Sequence, residues 1–262
     1  MGVTSTSTPA SSTPARPTGP GAPSAAGSQP SLGANVLPVR PEHAGLEPYG
    51  APQLDVPVLL NVNENPYPPS AEVVATIAAD VATAASGLNR YPDRDFPALR
   101  SDLADFLAKE SGVRLAVEQI WAANGSNEVM LHVLQAFGGP GRTALSFAPT
   151  YSMYPEYARD TATRWVQGRR EDDFTLDPAA AAATVRAEQP SVVLLASPNN
   201  PTGTALRPET VAAVCEAALD VEVPTTSGHA PAVVVVDEAY GEFRRAGTPR
   251  PSSSSTDTRT SR

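Results

Sequence analysis

The chain has 262 residues, of which 41% are hydrophobic and 18% are charged, and its formal net charge is −9. Residues 41–243 carry 12 basic and 27 acidic side chains, and this negative balance argues against nucleic acid as a partner, because a broad basic face is missing. No apolar run approaches the roughly 18 residues of a membrane-spanning helix, so we also expect no membrane partner.

The two ends of the chain differ in composition from its middle. Residues 1–40 are rich in Ser, Thr, Pro, Gly and Ala and contain no acidic residue, and residues 244–262 contain five Arg and four consecutive Ser. Neither segment has enough large apolar side chains to form a core. We therefore predict a disordered leader over 1–40 and a disordered tail over 244–262.

Helical and strand patterns alternate between these ends. Apolar residues recur at helical spacing over 97–111, 127–137, 154–161 and 207–219. Asp177 is a predicted N-cap for an alanine-rich helix that runs to residue 187. Short strands are predicted over 143–147 and 164–167, and strands buried on both faces over 191–196 and 232–236. This alternation favours an α/β fold with a mostly parallel sheet flanked by helices.

In such a sheet ligands bind at the carboxyl ends of the strands, and polar motifs follow the predicted strands here. Asp237 comes directly after the run 232–236, where an acid is costly unless it is paired, for example with a cationic cofactor ring nitrogen. Alternatively, Asp237 caps the next turn. The string SPNNPTG at 197–203 follows the other buried run, and its prolines and glycine fix a turn that could present asparagine amides, or form a plain loop.

Two further motifs could bind a ligand. Residues 124–128, NGSNE, place a glycine before the free N–H groups of a helix start, which is an anion site or an ordinary N-cap. Tyr151 follows the strand predicted at 143–147 and could stack on a flat ligand, or lie in the core or at its rim. No glycine-rich nucleotide-binding motif follows any predicted strand.

Five strings in order resemble the fold-type I pyridoxal-phosphate aminotransferases, and within them the histidinol-phosphate aminotransferase family. They are NENPYP at 63–68, LNRYPD at 88–93, PTYSMY at 149–154, SPNNPTG at 197–203 and VVVDEAY at 234–240. The resemblance covers about residues 60–243. It implies an incomplete fold-type I large domain, the cofactor pyridoxal 5'-phosphate, a homodimer, and amino-acid and phosphorylated keto substrates.

The resemblance also assigns roles to residues that match the family motifs. Ser126 and Asn127 would bind the cofactor phosphate through backbone N–H groups, and Tyr151 would stack on the pyridine ring. Asn200 and Tyr240 would approach its phenolic oxygen, and Asp237 would keep its ring nitrogen protonated. Tyr91 would reach the partner subunit's cofactor phosphate. The family often has a cis peptide bond before the proline of NPTG, so we expect one at Asn200-Pro201.

One family feature is missing from the sequence. The family forms a Schiff base on a lysine roughly 30 residues beyond the DEAY acid, and counting from Asp237 that position lies past Arg262. The single lysine, Lys109, lies in the helix predicted at 97–111, where it reads as a solvated helix end. We therefore assign no catalytic residue and expect this chain alone to be inactive. A frameshift near Thr248 would account for the tail.

The expected organisation is a leader (1–40), an N-terminal arm with dimer contacts (41–96), a partial cofactor-binding large domain (97–243) and the tail (244–262). The expected function is transamination in histidine biosynthesis, between histidinol phosphate or imidazole acetol phosphate and glutamate or 2-oxoglutarate. The alternatives are an aromatic or other class I and II aminotransferase, and a non-catalytic fragment that acts through association. A single cysteine, Cys215, excludes internal disulfides and favours the cytoplasm.

Overall fold

The computed structural model of the chain describes residues 38–47, 50, 52–245 and 247–248. Disorder is predicted for 1–40 and 244–262, and most of both segments lies outside the described residues. The chain divides into two units, Met1–Asn63 and Glu64–Arg262. In the first unit, Pro41–His43 form one turn of 3-10 helix, and the Asn61 side chain donates to the Pro52 carbonyl at 2.8 Å.

The second unit contains the alternating helices and strands. Its α-helices are α1 (Ala71–Ala85), α2 (Pro97–Ser111), α3 (Gly125–Phe137), α4 (Met153–Asp160), α5 (Pro178–Glu188) and α6 (Pro208–Leu219). Its strands are β1 (Thr143–Ala148), β2 (Arg164–Arg169), β3 (Val192–Ala196), β4 (Val223–Thr225), β5 (Gly228–Ala230) and β6 (Val233–Asp237). Short 3-10 helices lie at Val117–Gln119 and Gly241–Phe243.

Four strands form one parallel sheet in the order β2-β1-β3-β6, which confirms the predicted parallel architecture. The predicted helices and strands have boundaries within two residues of those observed. Asp177 is the N-cap of α5, since its side chain accepts from the Ala180 N–H at 2.8 Å. Helix α1 and the antiparallel β4–β5 hairpin lie outside the predicted elements, although Ser70 caps α1 by accepting from the Val73 N–H.

Helices pack against both faces of this sheet. Side chains alternate along each strand, so every strand contributes apolar residues to both faces. Leu145, Phe147, Val193 and Leu195 point to the side packed by α5 and α6. Ala144, Val192, Leu194 and Ala196 point to the side packed by α3 and α4. All five residues of β3 are buried, as expected for a central strand covered on both faces.

The prediction that 232–236 forms a fully buried strand is wrong. All five residues of β6 are only half-buried. The physical reason is its position, because β6 pairs with β3 along one edge and is the last strand of the sheet in the described part of the chain. The run of valines therefore predicts the strand correctly, but it does not distinguish a central strand from an edge strand.

We expect Leu194→Ala to lower the free energy of unfolding by about 2–5 kcal/mol, because the Leu194 side chain is fully buried in the central strand and its removal leaves a cavity. Urea unfolding followed by circular dichroism measures the change. Leu219→Ala is the control, since it makes the same change at the end of α6, where the Leu219 side chain is 50% exposed. Equal losses of stability in the two variants would contradict the observed core.

Candidate functional site

A cleft opens where α3 begins and where β3 and β6 end. Eight residues line it: Ser126, Tyr151, Ala196, Pro198, Asn200, Asp237, Ala239 and Tyr240. Five of these are among the seven residues singled out from the sequence. Of the other two, Asn127 follows Ser126 in the first turn of α3, whereas Tyr91 is fully exposed and is not among the lining residues.

Asp237 is the acidic group of the cleft, and both of its carboxylate oxygens accept hydrogen bonds. Oδ2 accepts from the Tyr154 hydroxyl at 2.9 Å, and Oδ1 accepts from the Ala239 N–H at 3.0 Å. The second bond means that Asp237 also caps the turn after β6. Burial, and next the Asp237 carboxylate, raise the pKa of Tyr154. Tyr154 therefore stays protonated and acts as the donor.

The first turn of α3, where Ser126 lines the cleft, has no side-chain cap. The N-cap residue Asn124 makes no side-chain capping bond, and Gly125 has a φ of +80°, a conformation that favours glycine. The Glu128 carboxylate instead accepts from the Asn124 N–H at 2.6 Å. The backbone N–H groups of Ser126 and Asn127 lie at the positive end of the helix dipole, so this turn can bind an anion.

The Tyr151 ring is held by two neighbours on the wall of the cleft. It packs edge-on against Tyr154, with ring centroids 5.5 Å apart and an interplanar angle of 89°. Its hydroxyl donates to Asn127 Oδ1 at 3.3 Å, and the same oxygen accepts from the buried Tyr157 hydroxyl at 2.7 Å. The Asn127 side chain is thus used within the protein, and its backbone N–H remains for a ligand.

The two neighbouring asparagines of SPNNPTG have different surroundings. Asn199 is 2% exposed, and its amide donates to the Pro149 carbonyl at 3.1 Å and to the Thr202 hydroxyl at 2.8 Å. Asn200 is half-buried and lines the cleft. The Asn200-Pro201 peptide bond is cis, as expected, and so are Ala148-Pro149 and Ser197-Pro198.

Three residues that contact the cleft side chains or fix the loop beside them were not predicted: Tyr154, Tyr157 and Asn199. A signal for the first two is present in the sequence, because the spacing of Tyr154 and Tyr157 puts them on one face of a helix. The family resemblance assigns Asn200 to the ligand and gives Asn199 no role, so the buried position of Asn199 was not predicted. Within the described residues no cluster of metal-ligating side chains occurs, and no helix is long and apolar enough to cross a membrane.

Comparison with known proteins gives a consistent assignment. A family profile described as aminotransferase class I and II matches residues 56–256. Histidinol-phosphate aminotransferase from Bifidobacterium adolescentis is 58% identical over 213 residues, which cover 81% of this chain and 54% of that protein. The protein of the same name from Frankia casuarinae is 58% identical over 216 residues, covering 82% and 52%. The chain thus spans about half the length of these curated relatives.

Solved structures show the same fold at lower identity. Histidinol-phosphate aminotransferase from Sinorhizobium meliloti in complex with pyridoxal-5'-phosphate is 24% identical with a TM-score of 0.53, covering 70% of this chain and 44% of that one. Aspartate aminotransferase from Thermus thermophilus with maleate is 24% identical with a TM-score of 0.59, covering 70% and 46%. The described residues therefore have the α/β fold of the fold-type I aminotransferases.

We expect Asn199→Ala to lower the free energy of unfolding by about 1–3 kcal/mol, because the substitution leaves the Pro149 carbonyl without its buried donor. Asn200→Ala, at the neighbouring half-buried position, should change stability by less than about 0.5 kcal/mol. Thermal and urea unfolding of the two variants side by side test this difference. A larger loss for Asn200→Ala would show that the two roles are reversed.

Proposed function

We propose that this chain, which belongs to the aminotransferase class I and II family, is the cofactor-binding part of a pyridoxal-phosphate-dependent histidinol-phosphate aminotransferase. The observation that carries the proposal is the cleft itself, where an uncapped helix start, an aromatic ring, an amide and an acid meet at the carboxyl edge of a parallel sheet. The reaction is amino transfer between histidinol phosphate and 2-oxoglutarate, which yields imidazole acetol phosphate and glutamate.

The residues of the cleft match the chemical groups of pyridoxal phosphate. The first-turn N–H groups of Ser126 and Asn127 suit its phosphate, and the Tyr151 ring offers a face on the cleft wall. Asn200 and Tyr240 offer polar groups to its phenolic oxygen, and the Asp237 carboxylate suits its ring nitrogen. When bound, pyridoxal phosphate supplies an electron sink for the substrate's α-carbon.

Asp237 is the residue whose charge matters most for this chemistry. Its two oxygens already accept from Tyr154 and Ala239, so the carboxylate is held in one orientation at the end of β6. A fixed carboxylate favours a protonated ring nitrogen, and a hydrogen bond between charged groups is about twice as strong as one between neutral groups. The chain thus supplies a pre-oriented negative charge where the cofactor carries a positive one.

Relatives support the substrate assignment, and the same fold keeps a second candidate open. The curated relatives at 58% identity are histidinol-phosphate aminotransferases, whereas solved structures of similar fold include aspartate and alanine aminotransferases. An aromatic or other class I and II aminotransferase is the alternative, since the matching family profile describes the whole class.

We further propose that the functional assembly is a homodimer in the cytoplasm. The fully exposed Tyr91 and the exposed apolar side chains of α1, at Val73, Val74, Ile77 and Val81, support a partner subunit. The single cysteine supports a reducing compartment.

We expect the chain to bind pyridoxal phosphate saturably and pyridoxal, which has no phosphate, more weakly. Asp237→Asn should weaken binding by roughly 10–100-fold, because it removes the charged partner of the ring nitrogen. Fluorescence quenching titrations measure both effects. Asp172→Asn is the control, since Asp172 is exposed and does not line the cleft, and it should bind like the unaltered chain. Absence of saturable binding would overturn the proposed function.

We expect binding by these 262 residues to be non-covalent. Lys109, the single lysine, is exposed in the last turn of α2 and does not line the cleft. Borohydride treatment followed by mass spectrometry should therefore give no stoichiometric adduct, and Lys109→Arg should leave cofactor affinity unchanged. The chain alone should not restore growth without histidine to a strain that lacks the enzyme. A one-to-one adduct or restored growth would contradict this prediction.

A further inference from the structure

We infer that α4 is the positioning element of the cleft, with Tyr154 fixing the Asp237 carboxylate and Tyr157 fixing Asn127 and, through it, the Tyr151 ring. The inference rests on the proposed function, because it concerns the residues proposed to hold pyridoxal phosphate. Neither Tyr154 nor Tyr157 lines the cleft, so both act through other side chains.

The geometry of α4 directs the two hydroxyl groups to different elements. Tyr154 and Tyr157 are three residues apart, on one face of the helix, and are 0% and 4% exposed. The Tyr154 hydroxyl reaches the last residue of β6, 83 positions along the chain. The Tyr157 hydroxyl reaches the first turn of α3, 30 positions back. One buried helical turn therefore connects the acidic side of the cleft to its anion-binding side.

The hydrogen bond from Tyr154 fixes the orientation of the Asp237 carboxylate. Asp237 Oδ2 accepts from Tyr154 at 2.9 Å while Oδ1 accepts from the backbone of Ala239 at 3.0 Å. With a donor on each oxygen, the carboxylate cannot rotate without breaking a hydrogen bond in a partly buried place. Removing the Tyr154 hydroxyl leaves the Ala239 N–H as the single fixed donor and frees that rotation.

The second connection sets the position of the ring. Asn127 Oδ1 accepts from the buried Tyr157 hydroxyl at 2.7 Å and from the Tyr151 hydroxyl at 3.3 Å. Tyr157 therefore holds the Asn127 side chain, and Asn127 in turn holds Tyr151. Tyr151 also packs edge-on against Tyr154. Both tyrosines of α4 thus help to position the Tyr151 ring: Tyr157 acts through the Asn127 amide, and Tyr154 contacts the ring directly.

The test compares Tyr154→Phe, Tyr157→Phe and a control, Tyr67→Phe, in the full chain. Phenylalanine keeps the ring and removes the hydroxyl alone, and Tyr67 is 79% exposed. Pyridoxal phosphate labelled with ¹⁵N in its ring gives two readouts: the dissociation constant from fluorescence quenching, and the ¹⁵N chemical shift, which reports the ring nitrogen's partner. Thermal unfolding of each variant without cofactor gives the third.

The two connections predict different signatures. Tyr154→Phe should weaken binding about tenfold and move the ¹⁵N resonance toward that of the free cofactor, because the orientation of Asp237 is lost. Tyr157→Phe should weaken binding about threefold and leave the ¹⁵N resonance in place. Tyr67→Phe should bind like the unaltered chain.

A double-substitution cycle tests the second connection through an exposed residue. Asn127→Ala keeps the backbone N–H of the helix start and should weaken binding as much as Tyr157→Phe, with no further loss when both are combined. If Tyr157→Phe fails to fold, Asn127→Ala alone still tests the second connection, because unchanged binding of pyridoxal phosphate by this variant would overturn it.

The outcomes separate the inference from the function on which it rests. If the Tyr154 and Tyr157 variants lose thermal stability but bind with unchanged affinity and an unchanged ¹⁵N shift, the two tyrosines are purely structural and the inference is overturned. If the unaltered chain does not bind pyridoxal phosphate, the proposed function fails, and the positioning role falls with it.

Discussion

The parallel pairing of β3 with β6 is the constraint on which the cleft depends. Their register sets Ala196 beside Asp237, and the Ser197 N–H donates to the Asp237 carbonyl at 2.9 Å. The loop SPNNPTG therefore leaves the sheet next to the acid, and the two motifs meet although 40 residues separate them. A shift of one residue would turn the Asp237 side chain to the opposite face of the sheet, away from the Tyr154 hydroxyl.

Polar groups around the cleft divide into those that build it and those that face a ligand. Asn199 and Tyr154 are buried and make short hydrogen bonds within the protein, whereas Asn200, Tyr151 and Asp237 are partly accessible and line the cleft. Buried donors cost stability when they lose a partner, so the first group is fixed by folding. The second group places an amide, an aromatic ring and a carboxylate on the cleft wall, where a ligand can contact them, as a pre-organised binding site requires.

The sequence predicts most of this arrangement because strong local patterns determine it. Asp177 caps α5 as its position indicates, and the apolar run ending at Ala196 is the buried central strand. Local pattern fails where non-local packing decides: the valines of β6 resemble a central strand, whereas among the described residues β6 is the edge strand of the sheet. Site residues that directly follow a strand, such as Asp237, could be predicted because ligands bind at the carboxyl ends of parallel strands. For the tyrosines of α4 the spacing predicts only a shared helix face, because the partners of the Tyr154 and Tyr157 hydroxyl groups lie 83 and 30 positions away along the chain.

The position of Lys109 has a practical consequence for handling the molecule. Apart from the N-terminal amine, the chain has one side-chain amine, exposed in the last turn of α2 and outside the cleft lining. Amine-reactive dyes or coupled surfaces would therefore attach at Lys109 or at the N-terminus and leave the cleft residues unmodified. Amine coupling of this chain is therefore limited to these two amines, and neither belongs to a residue that lines the cleft.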